Sequence, residues 1–225
     1  MAVIHGVAGE WTRVKGSVAG LWPVFLGVAA AGFSVATALF ANAAAGASLF
    51  VASLVSVGFA LAVALKRIES YFKGARGEER VSGILRSLPD SYHVFNDFVA
   101  LGTHVDHVVV GPAGVFSVET KNWRGEVTVE DGYILVDGRL PSRAPLAQAV
   151  KEASLVKAQL ERLGWKGDVT PVLAFASNSF KSRLAEIGGA VVMNADELKA
   201  SFAGGRSVIP QQELDRLSSL MENRE

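Results

Sequence analysis

The chain has 225 residues, half of them apolar, with 22 Lys and Arg, 22 Asp and Glu, and no cysteine. This composition excludes a disulfide framework and a cysteine-based zinc site, and the zero formal charge argues against a polybasic nucleic-acid binder. Charge is unevenly distributed, because residues 16–65 contain no Asp, Glu, Lys or Arg, whereas the chain from Lys66 onward holds 20 Lys and Arg and 21 Asp and Glu. The pattern predicts two parts, an apolar N-terminal region over residues 1–67 and a globular domain over residues 68–225.

The uncharged stretch is long enough for two membrane spans, since a bilayer core takes about 20 apolar residues per helix. It divides best into spans at about residues 21–41 and 47–65, with the turn at residues 42–46. We expect a helical hairpin, with Gly27 and Ala31 providing one small-residue spacing for close packing. A cleaved signal peptide and a buried soluble hairpin are the alternatives. The length of the first apolar segment argues against cleavage, and the absence of a polar stripe argues against burial.

Basic residues flank both predicted spans. Arg13 and Lys15 precede the first span, and Lys66 and Arg67 follow the second. Because positive residues remain on the cytoplasmic side, both termini are expected in the cytoplasm. The expected location is the inner (plasma) membrane, as a multi-pass protein with the lipid bilayer as a partner.

The region from residue 68 onward alternates between helical and extended patterns. Residues 68–76 are expected to form a polar connector. Helices are predicted at residues 77–88, 145–163, 196–202 and 211–223, and strands at residues 92–98, 104–110, 115–121, 126–129, 133–136, 169–176 and 190–193. This order predicts an α/β fold with a mixed central sheet flanked by helices.

The hairpin at residues 104–121 carries the candidate chemistry. If its turn is symmetric about Pro112 and Ala113, paired residue numbers sum to 225, so Asp106 faces Glu119 and His104 faces Lys121. Like charges placed directly opposite each other are destabilising unless a cation joins them. Carboxylate oxygens select Mg²⁺ or Mn²⁺, and a nearby lysine can act on a bound water or stabilise a phosphate. A surface cluster of ion pairs is the alternative explanation.

Three segments resemble the NERD (nuclease-related) domain of the PD-(D/E)XK nuclease-like superfamily. They are Gly77-Glu78-Glu79-x-Val81, the run from Asp106 to Phe116, and Val118-Glu119-Thr120-Lys121-Asn122-Trp123-x-Gly125. The resemblance covers about residues 74–175 and implies a restriction-endonuclease-like core. It implies Asp106 and Glu119 as ligands of Mg²⁺ or Mn²⁺ and Lys121 as the catalytic lysine. It also implies Glu78 beside the metal and Gln148 as a polar residue near the site.

Three of the accessory residues have two interpretations each, and the other two have one. Glu78 is expected to face the site rather than act as a solvent-exposed first-turn acid. His104 is either an outer contact to the metal or phosphate or an exposed histidine, and Trp123 either stacks on a base or covers the edge of the core. Arg124 would grip a phosphate. His107, on the opposite face of its strand, is expected to be a packing residue.

The expected function is that of a membrane-anchored, metal-dependent nuclease acting on DNA or RNA phosphodiesters. The alternative is a catalytically silent, membrane-tethered module that binds nucleic acid or a protein partner. The complete set of Asp106, Glu119 and Lys121 favours the enzyme. The near-neutral charge of the globular part favours the silent module, because nonspecific nucleic-acid binding usually requires a basic face.

Overall fold

The computed structural model describes residues 1–40, 42–182 and 184–222. Ala41, the last residue of the first predicted span, lies outside the described residues. So do residues 223–225, which include the end of the last predicted helix and the C-terminus. The chain divides into two compact units, Trp11–Lys73 and a second unit that combines Met1–Glu10 with Gly74–Glu225. The expected division into residues 1–67 and 68–225 therefore differs from these two units. The first ten residues belong to the globular unit, and the apolar unit ends at Lys73.

Two helices, α1 (Glu10–Phe40) and α2 (Ala43–Arg86), carry the apolar stretch, and both are long and apolar enough to cross a membrane. Only 11% of the most apolar window of each helix is buried within the protein. The turn is shorter than the predicted residues 42–46, because Asn42 caps α2 by accepting a hydrogen bond from the Ala45 N–H at 2.9 Å. The predicted connector at residues 68–76 is also wrong, since these residues are helical within α2.

Glycines allow the apolar parts of the two helices to pack closely. A Cβ atom added at Gly16, Gly20 or Gly27 would lie 2.4 Å from a side-chain atom of Tyr71, Ile68 or Val57, respectively. Gly46 makes a similar approach to Ala38. The predicted small-residue contact at Gly27 thus belongs to a longer row of small residues, the arrangement that lets helices associate without a hydrophobic driving force.

The globular unit contains nine strands and the remaining helices within the described residues. The strands are β1 (Val3–His5), β2 (His93–Ala100), β3 (Thr103–Gly111), β4 (Gly114–Lys121), β5 (Val127–Glu130), β6 (Tyr133–Val136), β7 (Val169–Phe175), β8 (Ala185–Ile187) and β9 (Ala190–Asn194). The helices are α3 (Pro145–Arg162), α4 (Leu198–Ala203), which follows a 3₁₀ turn at Ala195–Glu197, and α5 (Gln211–Glu222). The predicted strands and helices from residue 77 onward are confirmed apart from small shifts at their ends.

Seven strands form a mixed sheet in the order β1-β2-β3-β4-β7-β9-β8, and β5 and β6 form a separate hairpin. Strands β2, β3 and β4 are antiparallel neighbours, whereas β7 lies parallel to both β4 and β9. The predicted mixed α/β architecture is confirmed. Strands β1 and β8 were not predicted from the sequence, because each has only three residues and forms by pairing with a longer neighbour.

Helices cover the two faces of the sheet. The end of α2 packs Val81 and Leu85 against Val109 and Val118. On the other face, α3 packs its apolar stripe against residues that include Val108. Because successive side chains on a strand alternate between faces, Val108 and Val110 point toward α3 and Val109 points toward α2, whereas Val105, nearer the start of β3, also packs on the α3 side.

Candidate functional site

The predicted register of the hairpin between β3 and β4 is confirmed as far as His107, whereas the predicted pair of Asp106 and Glu119 lies beyond the regular ladder. Val110 pairs with Val115, and the ladder continues to His107 opposite Val118. Beyond that pair the strands no longer form regular pairs. The Thr120 N–H instead donates a 2.8 Å hydrogen bond to Oδ2 of Asp106. The Asp106 side chain thus takes the place of a main-chain acceptor and lies at the point where β3 and β4 separate.

The ladder on the other side of β3 is interrupted at the same level. Asn96 pairs with His107 and Phe98 with Val105, but Asp97 makes no regular pair with Asp106 and has a positive φ of 50°. A non-glycine residue in this region usually marks a turn or a special local geometry. Asp106 therefore occupies a break in both of its strand pairings.

Strand β4 is held on its other side by parallel pairing with β7, which aligns Glu119 with Leu173 and Lys121 with Phe175. This pairing fixes the backbone of the two functional candidates on β4. Glu119 is 3% exposed and Lys121 is 17% exposed, and the Lys121 ammonium donates a short hydrogen bond to Oε1 of Glu119. A buried charge is stable only when it is paired and hydrogen-bonded, as both groups are here.

Helix α3 adds two polar side chains to this pair. Lys121 Nζ donates to Oε1 of Gln148 at 3.0 Å, and Gln148 Nε2 donates to Oε1 of Glu152 at 2.9 Å. The structure therefore brings Gln148 to the lysine. Glu152 is buried and was missed by sequence reasoning. The signal that would have found it is its position four residues after Gln148, on the same helical face.

Glu78 reaches the site from the opposite helical layer. It lies near the end of α2, is 5% exposed, and its charge acts on Asp106. The preceding Gly77 lets this part of α2 approach the end of β4, since an added Cβ atom would lie 2.6 Å from Cβ of Asn122, the residue after β4. Acids from α2 and α3 thus converge on the break in the sheet, and Glu78 faces inward as predicted.

The convergence of acids changes their protonation. Burial raises the pKa of Asp106 well above its ordinary value, and the charges of Glu119, Glu78 and Glu152 raise it further, against the opposing hydrogen bond from Thr120. Burial together with the neighbouring Glu119 also raises the pKa of Glu152 from 4.5 to about 8. Both shifts arise first from burial and second from neighbouring negative charge that the protein groups at the site do not fully offset.

A divalent cation fits this donor set. Asp106 and Glu119 offer carboxylate oxygens, the ligands that Mg²⁺ and Mn²⁺ prefer. A bound cation would favour the ionised carboxylates and so reverse the pKa shifts that burial and mutual repulsion produce. The arrangement is chemically suited to hold a hard metal ion beside a lysine.

The accessory candidates His104 and Trp123 have different surroundings from each other. His104 lies on β3 opposite Val99 of β2, and the β3–β4 ladder ends before the predicted pairing of His104 with Lys121. Trp123 packs against Phe175 with a ring separation of 5.7 Å, so it covers the edge of the core.

Arg124 is exposed at a cavity of about 390 Å³ that also includes Ser177, Asn178 and Lys181.

His107 is fully buried, and burial lowers its pKa to about 3. Its Nδ1 lies 2.8 Å from Oδ1 of Asn96, as expected of a packing residue.

Comparisons with known proteins find a relative and a family match for part of the chain. An uncharacterized protein from Bacillus anthracis is 36% identical over 83 residues, which is 34% of this chain and 39% of that relative. The match therefore spans well under half of the relative's length. No solved structure matches the chain. The family described as "Nuclease-related domain" (NERD) matches residues 73–176, a range that contains Glu78, Asp106, Glu119, Lys121, Gln148 and Glu152. Residues 73–176 are therefore similar to the nuclease-related domain family.

Proposed function

We propose that this chain is a membrane-anchored nuclease that hydrolyses DNA or RNA phosphodiesters with the help of bound Mg²⁺ or Mn²⁺. The observation that carries the proposal is the hydrogen-bonded position of Lys121 between Glu119 and Gln148, with Glu119 close enough to Asp106 for its charge to raise the pKa of Asp106. A solvent-exposed ion-pair cluster would not require burial of two acids with raised pKa values. The nuclease-related domain supports the same reaction class.

Each residue has a distinct role in this proposal. Asp106 and Glu119 hold the metal, and Glu78 adds negative charge from the α2 side. The ion, when bound, supplies Lewis-acid activation of the phosphate and of water. Lys121 orients the attacking water and stabilises the charge that develops on the phosphate.

Gln148 keeps the ammonium of Lys121 in place, and Glu152 keeps Gln148 in place, through the two hydrogen bonds already described. Neither residue needs to touch the substrate to perform this role. Both are therefore positioning residues.

The substrate contact is proposed at the cavity next to the site. The lining of this cavity includes Trp123, which follows Lys121 by two residues in the sequence. Arg124 and Lys181 supply the positive charge of the cavity. Lys181 is 62% exposed and lies 3.5 Å from Glu126, so this ion pair is weak enough to open for a phosphate. The side-chain amide of Asn178 has a second N–H group that could donate to a phosphate, whereas the Ser177 hydroxyl donates to the Trp123 carbonyl.

The two apolar helices are proposed to anchor the domain in the bilayer. Strand β1 pairs with β2, so the segment from Trp11 to Lys73 leaves the globular unit and returns to it. This arrangement supports a hairpin with both ends on one side of the membrane, and the flanking basic residues favour the cytoplasm of the inner (plasma) membrane. A reporter that is active only in the cytoplasm, fused after the C-terminus, tests this orientation, and activity of a periplasmic reporter would contradict it.

A nuclease assay on the full chain in detergent tests the activity. Single- and double-stranded DNA and RNA are incubated with Mg²⁺, Mn²⁺ or EDTA. We expect cleavage that requires metal and that Lys121→Ala reduces by about 100-fold or more. Lys151→Ala, which removes an exposed lysine of α3, is the matched control and should retain full activity.

Failure of the wild type to cleave any of the four substrates, together with metal-independent binding of nucleic acid or of a protein, would favour the silent module. Equal cleavage by wild type and Lys121→Ala would instead place the catalytic centre elsewhere.

A further inference from the structure

A second cluster of potential metal ligands lies where the beginning and end of the described chain meet. His5 is the last residue of β1, His93 is the first residue of β2, and Glu222 is the last residue of α5. The Nε2 atom of His5 lies 3.2 Å from Nδ1 of His93, and Nδ1 of His5 lies 3.4 Å from Oε1 of Glu222. One ligand atom from each residue lies within 4.8 Å of the other two.

The strand register explains why the two histidines meet. Val3 pairs with His93 and His5 pairs with Phe95, so His5 and His93 share one face of neighbouring strands. Their rings are nearly parallel, with centroids 5.5 Å apart, and Phe95 stacks on His5 with a centroid distance of 4.3 Å. This packing fixes the His5 ring, whereas Glu222, 46% exposed, retains the freedom to change rotamer.

We propose that His5, His93 and Glu222 form a transition-metal site whose best match is Zn²⁺. Two imidazoles and one carboxylate are the ligand types that zinc takes in proteins, at about 2.0–2.2 Å. Two nitrogens bound to one tetrahedral zinc ion are about 3.3 Å apart by that geometry. The observed 3.2 Å between the histidine nitrogens already meets this requirement. His5 faces His93 with Nε2 but faces Glu222 with Nδ1, so the Glu222 carboxylate must move to the Nε2 edge of the His5 ring to complete the set.

The surroundings leave room for a fourth ligand. A groove of about 820 Å³ borders the cluster and is lined by His5, Glu222, Asn96, Gln159 and Arg162, among others. Three protein ligands beside an open groove would leave the fourth zinc position to water or to a small anion. The site would tie β1 and the end of α5 to β2, and so hold the first and last elements of the globular unit together.

This site is independent of the proposed nuclease centre. It uses no residue of the Asp106–Glu119 cluster, and its imidazoles favour zinc, whereas an all-carboxylate set favours Mg²⁺ or Mn²⁺. The two sites are therefore separable by the choice of metal and by substitution.

Zinc titration of the full chain in detergent, followed by calorimetry and by thermal unfolding, tests the proposal. We expect saturable zinc binding with a rise in unfolding temperature, because a ligand that binds only the native state stabilises it. His5→Ala and His93→Ala should each weaken zinc affinity by at least about 100-fold, since loss of even an outer-shell partner costs ten- to 100-fold. Glu222→Gln should weaken it as well. Glu213→Gln, which changes an exposed acid of the same helix, is the matched control and should bind zinc like the wild type.

X-ray absorption at the zinc edge of the wild-type protein adds a measurement that no variant's folding can disturb. Scattering from two imidazoles supports the site, and its absence overturns the proposal. Wild-type zinc affinity in both histidine variants would also overturn it, as would loss of zinc binding in Asp106→Asn alone. Nuclease activity has no bearing on any of these outcomes.

Discussion

Lys121 Nζ donates a 3.0 Å hydrogen bond to Oε1 of Gln148, which joins the end of the central strand β4 to the first turns of α3. The same ammonium donates to Glu119, so two acceptors fix its position from different elements. A lysine side chain has many rotamers, and holding it in one of them removes an entropic cost from any reaction it assists. Gln148 thus connects the packing of a helix to the placement of the proposed catalytic ammonium.

Gln148→Ala is expected to lower kcat by about ten- to 100-fold, because a hydrogen bond to a charged group contributes about 1.5–3 kcal/mol. KM for nucleic acid should change little, since Gln148 does not touch the substrate in the proposed arrangement. Gln211→Ala, at the exposed start of α5, is the control. Steady-state cleavage kinetics separate the two parameters. A rise in KM at constant kcat would instead assign Gln148 to substrate binding.

Asp106→Asn is expected to leave the stability of the metal-free protein unchanged or slightly higher. The substitution removes a charge that repels Glu119, Glu78 and Glu152, and the new amide oxygen can still accept the bond from the Thr120 N–H. The wild type should gain about 2.7 kcal/mol at a hundredfold excess of Mn²⁺ over its Kd, and the variant should lose this gain. Thermal unfolding with Mn²⁺ and with EDTA measures both effects.

Lys121→Ala is the informative companion to that experiment, because the lysine is proposed to act on water rather than on the metal. It should keep the Mn²⁺-dependent shift and lose turnover. If Asp106→Asn unfolds the metal-free protein, or if the wild type shows no shift at millimolar Mn²⁺, the acids are structural.

Glu152 predicts a pH dependence of stability in metal-free protein. Its proton leaves the unfolded chain near pH 4.5 and leaves the folded chain near pH 8. Between these values the folded state holds the extra proton, so the free energy of unfolding falls as pH rises, by at most about 1.4 kcal/mol per pH unit. Asp106 acts in the same direction, because its pKa is also raised.

Glu152→Gln should therefore reduce this slope without abolishing it, whereas Glu161→Gln, at an exposed position of the same helix, should leave it unchanged. Unfolding temperatures in EDTA between about pH 6.5 and pH 8 provide the measurement, because below this interval the lowered pKa of buried His107 makes stability rise with pH. A wild-type protein whose stability rises between about pH 6.5 and pH 8 would contradict the protonation of Glu152 in the folded state.

The sequence predicted the register of the central hairpin from its turn to the pair of His107 and Val118, because strand alternation and a symmetric two-residue turn are local properties. That register was enough to place Asp106 and Glu119 on one face. It did not predict the break in pairing at Asp106, which depends on the side chain capturing the Thr120 N–H. Glu152 was missed because an acid on the margin of an amphipathic helix is usually exposed, and only tertiary packing buries this one.

The other differences have similar causes. The charged residues within the segment 68–76 suggested a polar connector. Lys, Arg and Glu are also good helix formers, however, and the segment continues α2. Strand β1 has three residues, too few to show a period, and its formation depends on pairing with β2, about 90 residues later. Local patterns thus predicted the long elements, and contacts distant in sequence determined the short ones.

Two glycines of α2 provide the last prediction, because the same substitution should have opposite effects at each. In a helix interior, Gly→Ala normally stabilises by about 1 kcal/mol through helix propensity. A Cβ atom at Gly83 would have no heavy atom within 4 Å, so Gly83→Ala should raise the unfolding temperature and leave cleavage unchanged.

A Cβ atom at Gly77 would lie 2.6 Å from Cβ of Asn122, a separation that requires α2 and the end of β4 to move apart. Gly77→Ala should therefore destabilise the protein despite its better helix propensity, and it should displace Glu78 from Asp106 and reduce cleavage. Unfolding temperature and cleavage rate, measured on both variants, test the pair. Equal stabilisation by the two substitutions would show that the approach of α2 to β4 is not tight, and that the position of Glu78 does not depend on it.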